Sequence, residues 1–235
     1  MAIQRLNLTQ IKTEILRIVG VASSSVSDWE TDANLYRIIN MCGQQLSLRA
    51  AQAARPNLPH GKTQLRFDMY KTVSNASTVG SGLIVAASSS TLYMPVDFDH
   101  WISFYDTTYL RRIDVISDVA ERHIKIKQKQ SGPPEVIELM NFAANSSQWQ
   151  RVGIVYPATP TGTAPAIELY YYRLPATMAG TDPDNEYPDC DPKYQYLWIY
   201  LPACEVMRPN NPSYDRYNSL GNELLIDLAA TGTAY

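Results

Sequence analysis

Cysteine is scarce in this chain of 235 residues, and what little there is sits apart. Cys42, Cys190 and Cys204 are odd in number and widely spaced. That excludes a disulfide framework and a Cys-x-x-Cys metal pattern, and points to reduced thiols in a cytosolic setting. Histidine is as sparse: His60, His100 and His123 lie in unrelated contexts with no paired ligand spacing, so they read as surface or core residues. No run approaches the roughly 20 apolar residues of a membrane span. The start, MAIQRLNLTQ, has no apolar signal core. A soluble chain made in the cytosol is expected, with no membrane contact, and the glycosylation patterns at Asn75 and Asn145 then carry no meaning. An excess of one charge is also missing: 20 basic residues oppose 23 acidic ones for a net charge of −3. Nucleic acid and anionic surfaces would find no broad attractive field. Gly-x-Ser-x-Gly, phosphate-loop and dinucleotide motifs are absent too, so neither an enzyme nor a cofactor or metal protein is expected.

Tyrosine, by contrast, is abundant, at 16 residues. It joins a large contact area to a polar tip, which suits interfaces, and a tyrosine-rich core explains it equally well. The aromatic and β-branched residues are densest in residues 91–119, around Trp101, Phe104, Tyr105, Ile113 and Val115. Pro95, the Asp97–Asp99 corner and the turn at residues 106–108 divide this stretch into three short extended segments.

Helical spacing flanks it. Leu8, Ile11, Ile15 and Val19 form one stripe that Gly20 ends. Thr31 suits an N-cap for a second helix with Leu35, Ile38, Ile39, Cys42 and Leu46 on one face, ending near Ala54 because Pro56 and Pro59 follow. The period then changes. Leu65, Phe67 and Met69 alternate with polar neighbours as in a half-buried strand, and Leu83–Ala87 offers another. Residues 118–122 suggest a short helix or turn before extended chain. Past the rigid Gly132-Pro133-Pro134 corner, strands are expected at residues 136–140, 152–156 and 166–174, with loops at 74–90 and 141–150. Tyr170, Tyr171 and Tyr172 lie on the last strand, whose two faces are both apolar enough to contact protein. That strand is therefore central, or at a subunit interface.

Residues 176–192 read as a turn-rich linker back to helix. Asp191-Pro192 and Asn211-Pro212 each suit a helix opening, and Pro202 should kink the helix it interrupts. The last helix places Tyr214, Tyr217, Leu220, Leu224 and Leu228 on one side. The expected fold is α+β: an antiparallel bundle of N- and C-terminal helices (residues 1–60 and 187–235) with an antiparallel β module inserted at 61–186. Residues 229–235 are expected to form a flexible C-terminal arm.

Two charged patterns invite chemistry. Asp182, Asp184, Glu186, Asp189 and Asp191 alternate as calcium ligands do, but a calcium loop of the EF-hand type needs Gly sixth and Glu twelfth, and those places hold Tyr187 and Lys193. A solvated acidic linker is the better account, an incidental cation site the lesser one. Lys125, Lys127 and Lys129 put three cations on one face, to touch phosphates or to guard an edge strand.

Three pieces of punctuation occur in order: Tyr93-Met94-Pro95-Val96-Asp97-Phe98, Gly132-Pro133-Pro134, and Tyr171-Tyr172-Arg173-Leu174-Pro175. With the flanking helix pair and the closing helix that opens DPKYQYLWIYLPACEVM, the chain resembles the head-to-tail adaptor, or connector, proteins of short-tailed bacteriophages. The first motif is one residue shorter than that family's Tyr-x-x-Pro-x-Asp-Phe, and the loops at 74–90 and 141–150 are longer than a minimal adaptor needs. The resemblance implies a homo-oligomeric ring, commonly of about twelve copies, closed by head-to-tail contacts. It would sit in the virion neck after assembly in the host cytoplasm. Its partners would be the portal protein and tail proteins (nozzle, tube or fibre), with packaged DNA passing a mildly acidic channel wall unread. Tyr170, Tyr171 and Tyr172 become subunit-interface candidates. Ala230, Thr231, Gly232, Thr233, Ala234 and Tyr235 become a portal-contact arm, against the plainer alternative of a frayed end. A different tail component, whose tyrosine-rich module binds fibre or glycan, is the alternative function.

Overall fold

The computed structural model describes residues 4–20, 32–54, 65–76, 83–85, 90–116, 132–145, 148–157, 166–207 and 211–234. Thr31, His60, His123, Lys125, Lys127, Lys129 and Tyr235, and the helix or turn expected at residues 118–122, lie outside them. The chain divides into two compact units: Met1–Tyr70 with Pro175–Tyr235, and Lys71–Leu174. The sequence reading set those boundaries at residues 60/61 and 186/187.

The first unit holds five α-helices among the described residues: α1 (Leu8–Val19), α2 (Asp32–Gln44), α3 (Leu46–Ala53), α4 (Leu197–Val206) and α5 (Tyr214–Ala230). Asn7 opens α1 through a reciprocal capping box with Gln10, and Gly20, at φ 79°, closes it in the left-handed conformation that glycine adopts without strain. The second expected helix is in fact two, α2 and α3, parted at Gln45. In α4, Leu197, Trp198, Ile199, Leu201, Pro202 and Ala203 are all buried, so apart from exposed Glu205 near its end the helix has no polar face. A helix with no polar face has to be enclosed, and α1, α2 and α5 do pack against it while α3 packs on α5. Gly43 allows the Trp198 indole in: a Cβ there would come within 2.9 Å of its Nε1. The buried stripe of α5 is Gly221, Leu225, Leu228 and Ala229, rotated from the expected tyrosine-leucine stripe.

Residues 175–191 are not a linker. They form a packed belt on the first unit. Asn40 donates to the Met178 carbonyl and accepts from the Met178 amide, both at 2.8 Å. The Leu8 amide donates to the Glu186 carbonyl at 2.8 Å. Buried Gln195 accepts from the Leu6 amide at 2.8 Å and donates to the Gln4 carbonyl at 2.9 Å, so a costly buried amide is fully employed. Asp191 caps a 3-10 turn, Pro192–Tyr194, and not the long helix itself.

The strand expected around Leu65, Phe67 and Met69 is replaced by a two-residue strand, β1 (Leu65–Arg66), and a 3-10 turn, Asp68–Tyr70. β1 pairs antiparallel with β10 (Thr233–Ala234), Leu65 opposite Ala234 and Arg66 opposite Thr233. The described residues of the segment expected as an arm, 229–234, therefore lie in a helix end, a turn and a strand. Ala229 and Ala230 finish α5, the amides of Thr231 and Gly232 bond back to Leu228 and Ala229, and the next two residues extend a sheet.

The second unit is one sheet: β2 (Lys71–Asn75), β3 (Ile84–Val85), β4 (Thr91–Tyr93), β5 (Phe98–Asp106), β6 (Arg111–Ile116), β7 (Val136–Asn145), β8 (Gln148–Tyr156) and β9 (Ile167–Arg173). Their order is β2-β9-β5-β6-β7-β8-β4-β3, eight strands of which the two-residue β3 forms one edge. β6 and β7 run parallel, Val115 opposite Ile137. Parallel neighbours need a crossover of a dozen residues or more, and the chain between Ile116 and Val136 supplies that length. The expected helical bundle with an inserted antiparallel module is thus corrected on two counts. The sheet is mixed and curls as a half-barrel, and the helices gather round α4 instead of lying as an antiparallel bundle. The fold remains α+β in the broad sense. The loop expected at 141–150 is instead the far end of the β7–β8 hairpin, paired to Asn145 and Gln148. Leu92, Met94, Phe104, Ile113, Ile137, Val155, Leu169 and Tyr171 fill the core of this unit.

Candidate functional site

Among the described residues, the thiols and the acidic run are engaged in the fold. The three cysteines are unpaired, and burial pushes their thiols up to about 12 for Cys42 and Cys190 and about 11 for Cys204. At neutral pH such thiols stay protonated and poorly nucleophilic. His100 lies stacked beside Trp101, ring centres 5.8 Å apart. Among the described residues no three His, Cys, Asp or Glu side chains gather as metal ligands would.

The acidic run has a structural use instead. Glu186 accepts from the amides of Gly180, Thr181 and Asp182 at 2.8, 3.0 and 3.2 Å. Those bonds, the Gly180 amide first, hold its carboxyl below the usual range. Asp184 accepts from the Thr9 hydroxyl, Asp182 from the Asn185 amide group, and Asp189 from the Ala176 amide. Asp191 accepts from the Lys193 amide. Each carboxylate in this belt therefore already serves as a backbone or side-chain acceptor.

Each of the three motifs that carry the family resemblance turns out to be a joint in the sheet unit. The Tyr171 hydroxyl donates to Asp97 at 2.9 Å, and burial followed by that bond pushes the phenol upward. Phe98 stacks on the Tyr171 ring at 5.8 Å, and the Leu174 amide donates to the Asp97 carbonyl. The first and third motifs thus close on each other. The second receives Arg111, which donates to the carbonyls of Pro133 and Pro134 at 3.0 and 2.7 Å.

What remains open is surface. β9 lies between β2 and β5, so of the three interface candidates Tyr171 and Tyr172 are buried and Tyr170 alone faces out. Val73 is directly opposite Tyr170 on β2, and the Tyr105 ring meets Tyr170 edge-on at 5.8 Å. Val73 is 47% exposed and both tyrosines 39%. Together with Lys71, Thr72, Ile102 and Ser103 they line an open concavity of about 690 Å³. The phenol of Tyr170 is hydrogen-bonded to Glu168, which raises its pKa. Val73 and Tyr105 escaped the sequence reading because they occupy strand positions that suit a core as well as a surface. The signal that finds them is their cross-strand register with Tyr170.

The C-terminal candidates are placed differently. Gly232 lies against Phe67, where an added Cβ would come within 2.8 Å of the ring, and Thr233 and Ala234 belong to β10. The described part of the segment is docked on its own chain. A second cleft of about 640 Å³ lies between α3, α4 and α5, where Arg49 pairs with Glu205 beside Gln52, Asn218 and Asn222. No helix among the described residues is long and apolar enough to cross a membrane. No protein-family model matches the chain, and no curated protein is significantly similar to it.

Proposed function

We propose that the chain is a structural virion protein of the head-to-tail adaptor kind. In this reading it forms a ring that docks on the portal, extends the DNA channel and gives the tail its platform. The observation that carries the reading is the exposed face of Val73, Tyr105 and Tyr170 on the sheet unit. Aromatic side chains at such density favour protein contact over catalysis, since they bury large area at small entropic cost. The three motifs of the resemblance support it further, because they fix the corners of the same sheet. The reading assigns the chain no reaction, metal or cofactor, and lets DNA pass without sequence recognition.

Electron microscopy of particles assembled with and without the chain tests this. The expected result is ring density directly below the portal that vanishes when the chain is omitted. Density at the periphery of the tail would overturn the adaptor reading in favour of a fibre- or glycan-binding tail component. Sedimentation with purified portal is expected to convert the chain from small species to a portal-bound ring.

A further inference from the structure

The turn between β5 and β6 is built against ordinary preference. Leu110 adopts φ 50°, a left-handed conformation that side chains with a Cβ resist. It is also 87% exposed, and its neighbour Tyr109 is 59% exposed. Leucine suits neither the conformation nor the water, and glycine or asparagine would satisfy both. The backbone on either side is held firmly. Buried Asp106 accepts from the amides of Thr108 and Tyr109 at 2.9 and 3.2 Å. The Thr107 amide donates to the Ala166 carbonyl at 2.8 Å. Arg111 lies over the Tyr109 ring at 5.8 Å while its guanidinium grips the Pro133 and Pro134 carbonyls. Two apolar side chains thus stand on a rigid tip.

We infer that this tip, Tyr109 and Leu110, is a knob that docks in the concavity lined by Val73, Ile102, Tyr105 and Tyr170 on a second copy of the chain. The inference rests on the ring reading above and names the contact that would build the ring. The concavity is apolar and, at about 690 Å³, large enough to admit a leucine and a tyrosine side chain together. The knob cannot fill the concavity of its own chain. It continues directly from β5 through the Asp106–Arg111 pair, and Tyr105, one residue before that pair, is itself part of the wall. Because knob and concavity are different surfaces, the contact is heterologous, and each copy offers its knob to the next. Such contacts close into a ring when the rotation between copies permits.

Sedimentation velocity of the full chain, at concentrations up to about 1 mM, tests the contact. The native chain is expected to grow past dimer as concentration rises. Leu110→Gly removes the knob while relieving the left-handed strain, so it should weaken association about tenfold or more yet leave the melting temperature unchanged or raised. Val73→Glu and Tyr170→Ser should weaken it similarly from the other side. An equimolar mixture of Leu110→Gly and Val73→Glu still contains one intact knob and one intact concavity, so it should form heterodimers and stop there. Association of Leu110→Gly equal to that of the native chain, a native chain that stays monomeric throughout, or a mixture that forms nothing would each overturn the contact. If Leu110→Gly still builds a ring on the portal, this contact is wrong and the adaptor reading stands. If the native chain assembles through the knob but is absent from the neck, the adaptor reading fails and the contact stands.

Discussion

The two units pin distant segments with polar side chains alike, Arg111 on Pro133 and Pro134 in the sheet unit as Asn40 on Met178 in the helical one, but they expose their apolar groups differently. In the helical unit, polar side chains bind backbone far away in sequence. Asn40 reaches Met178, Gln195 reaches Gln4 and Leu6, and the Tyr70 hydroxyl reaches the Asp189 carbonyl. Its exposed apolar residues, Met41, Leu48, Tyr187, Tyr196 and Ile226, belong to different segments. In the sheet unit most of them are neighbours: Val73 opposite Tyr170, Tyr170 against Tyr105, Tyr109 beside Leu110, while Val96 and Met140 lie on other segments. Scattered exposure is ordinary for a folded surface, whereas a contiguous patch marks an interaction site. The comparison therefore puts the contiguous apolar surface on the sheet face, the face that the proposed contact uses, while polar pins stabilise both units.

The sharpest way to break that comparison is at the belt. Gly180 sits at φ 74°, and a Cβ there would lie 2.3 Å from the Tyr36 ring. Gly180→Ala combines left-handed strain with a steric clash and should cost about 2–4 kcal/mol. Chemical denaturation followed by tryptophan fluorescence reads this loss, and an unchanged midpoint would mean the belt is not part of the stable unit.

Removing residues 231–235 comes next. Gly232 and β10 cover Leu65 and Phe67, both nearly fully buried. Partial exposure of two large apolar side chains should cost about 1–2 kcal/mol, a drop of several degrees in melting temperature. A free arm, the expectation from sequence, would give no change at all. Tyr171→Phe deletes the bond to Asp97 and should cost about 0.5–1.5 kcal/mol, because a half-buried carboxylate loses its donor. Asp97→Asn, which still accepts the phenol, should cost less.

Glu186 offers a pH test with a defined sign. Its folded pKa lies below the ordinary value of 4.5. The stabilisation is therefore fully present above that ordinary value and is lost as pH falls through the folded pKa. Thermal melts between neutral pH and pH 3 should show a loss that is smaller in Glu186→Gln, which keeps one acceptor oxygen but has no charge to lose. Identical pH profiles for the two proteins would remove Glu186 from the list of pins.

The helices were legible in the sequence because burial imposes a 3.6-residue period, and Leu8, Ile11 and Ile15 display it directly. The β-rich middle was legible for a similar reason. Its topology was not. Parallel pairing of β6 with β7 depends on a crossover that leaves no local pattern, and a strand reads the same whichever way its neighbour runs. The two-residue β10 has no periodicity to detect, since Thr233 and Ala234 gain their conformation from Leu65 and Arg66 across the sheet. The acidic run was read as a solvated linker because carboxylates look alike in sequence whether they face water or accept from backbone amides. For the candidate site, the tyrosine strand was visible as a strand, but which tyrosine faced out was not. Tyr170 alone does, and its companions Val73 and Tyr105 come from strands distant in sequence.

The smallest expected effect on stability is also the one that most sharpens the comparison. Tyr105 and Tyr170 each leave 39% of their surface to water and touch each other edge to face. An aromatic pair of this kind contributes about 0.5–1.5 kcal/mol when well buried, and an exposed pair contributes less. Replacing Tyr170 by serine should therefore shift the unfolding free energy of the isolated chain by roughly 0.5 kcal/mol or less, within the range usual for surface substitutions. Residues at the centre of a contact behave differently, since their truncation commonly costs 2 kcal/mol or more of binding free energy, roughly thirtyfold in affinity. The same Tyr170→Ser substitution should thus leave the melting curve nearly superimposable on that of the native chain while weakening the proposed contact between copies roughly thirtyfold. The Gly180→Ala variant should do the reverse below its melting temperature, assembling while being easier to unfold. A Tyr170→Ser protein that melts well below the native chain yet still assembles would mean that the sheet face has to be read as core.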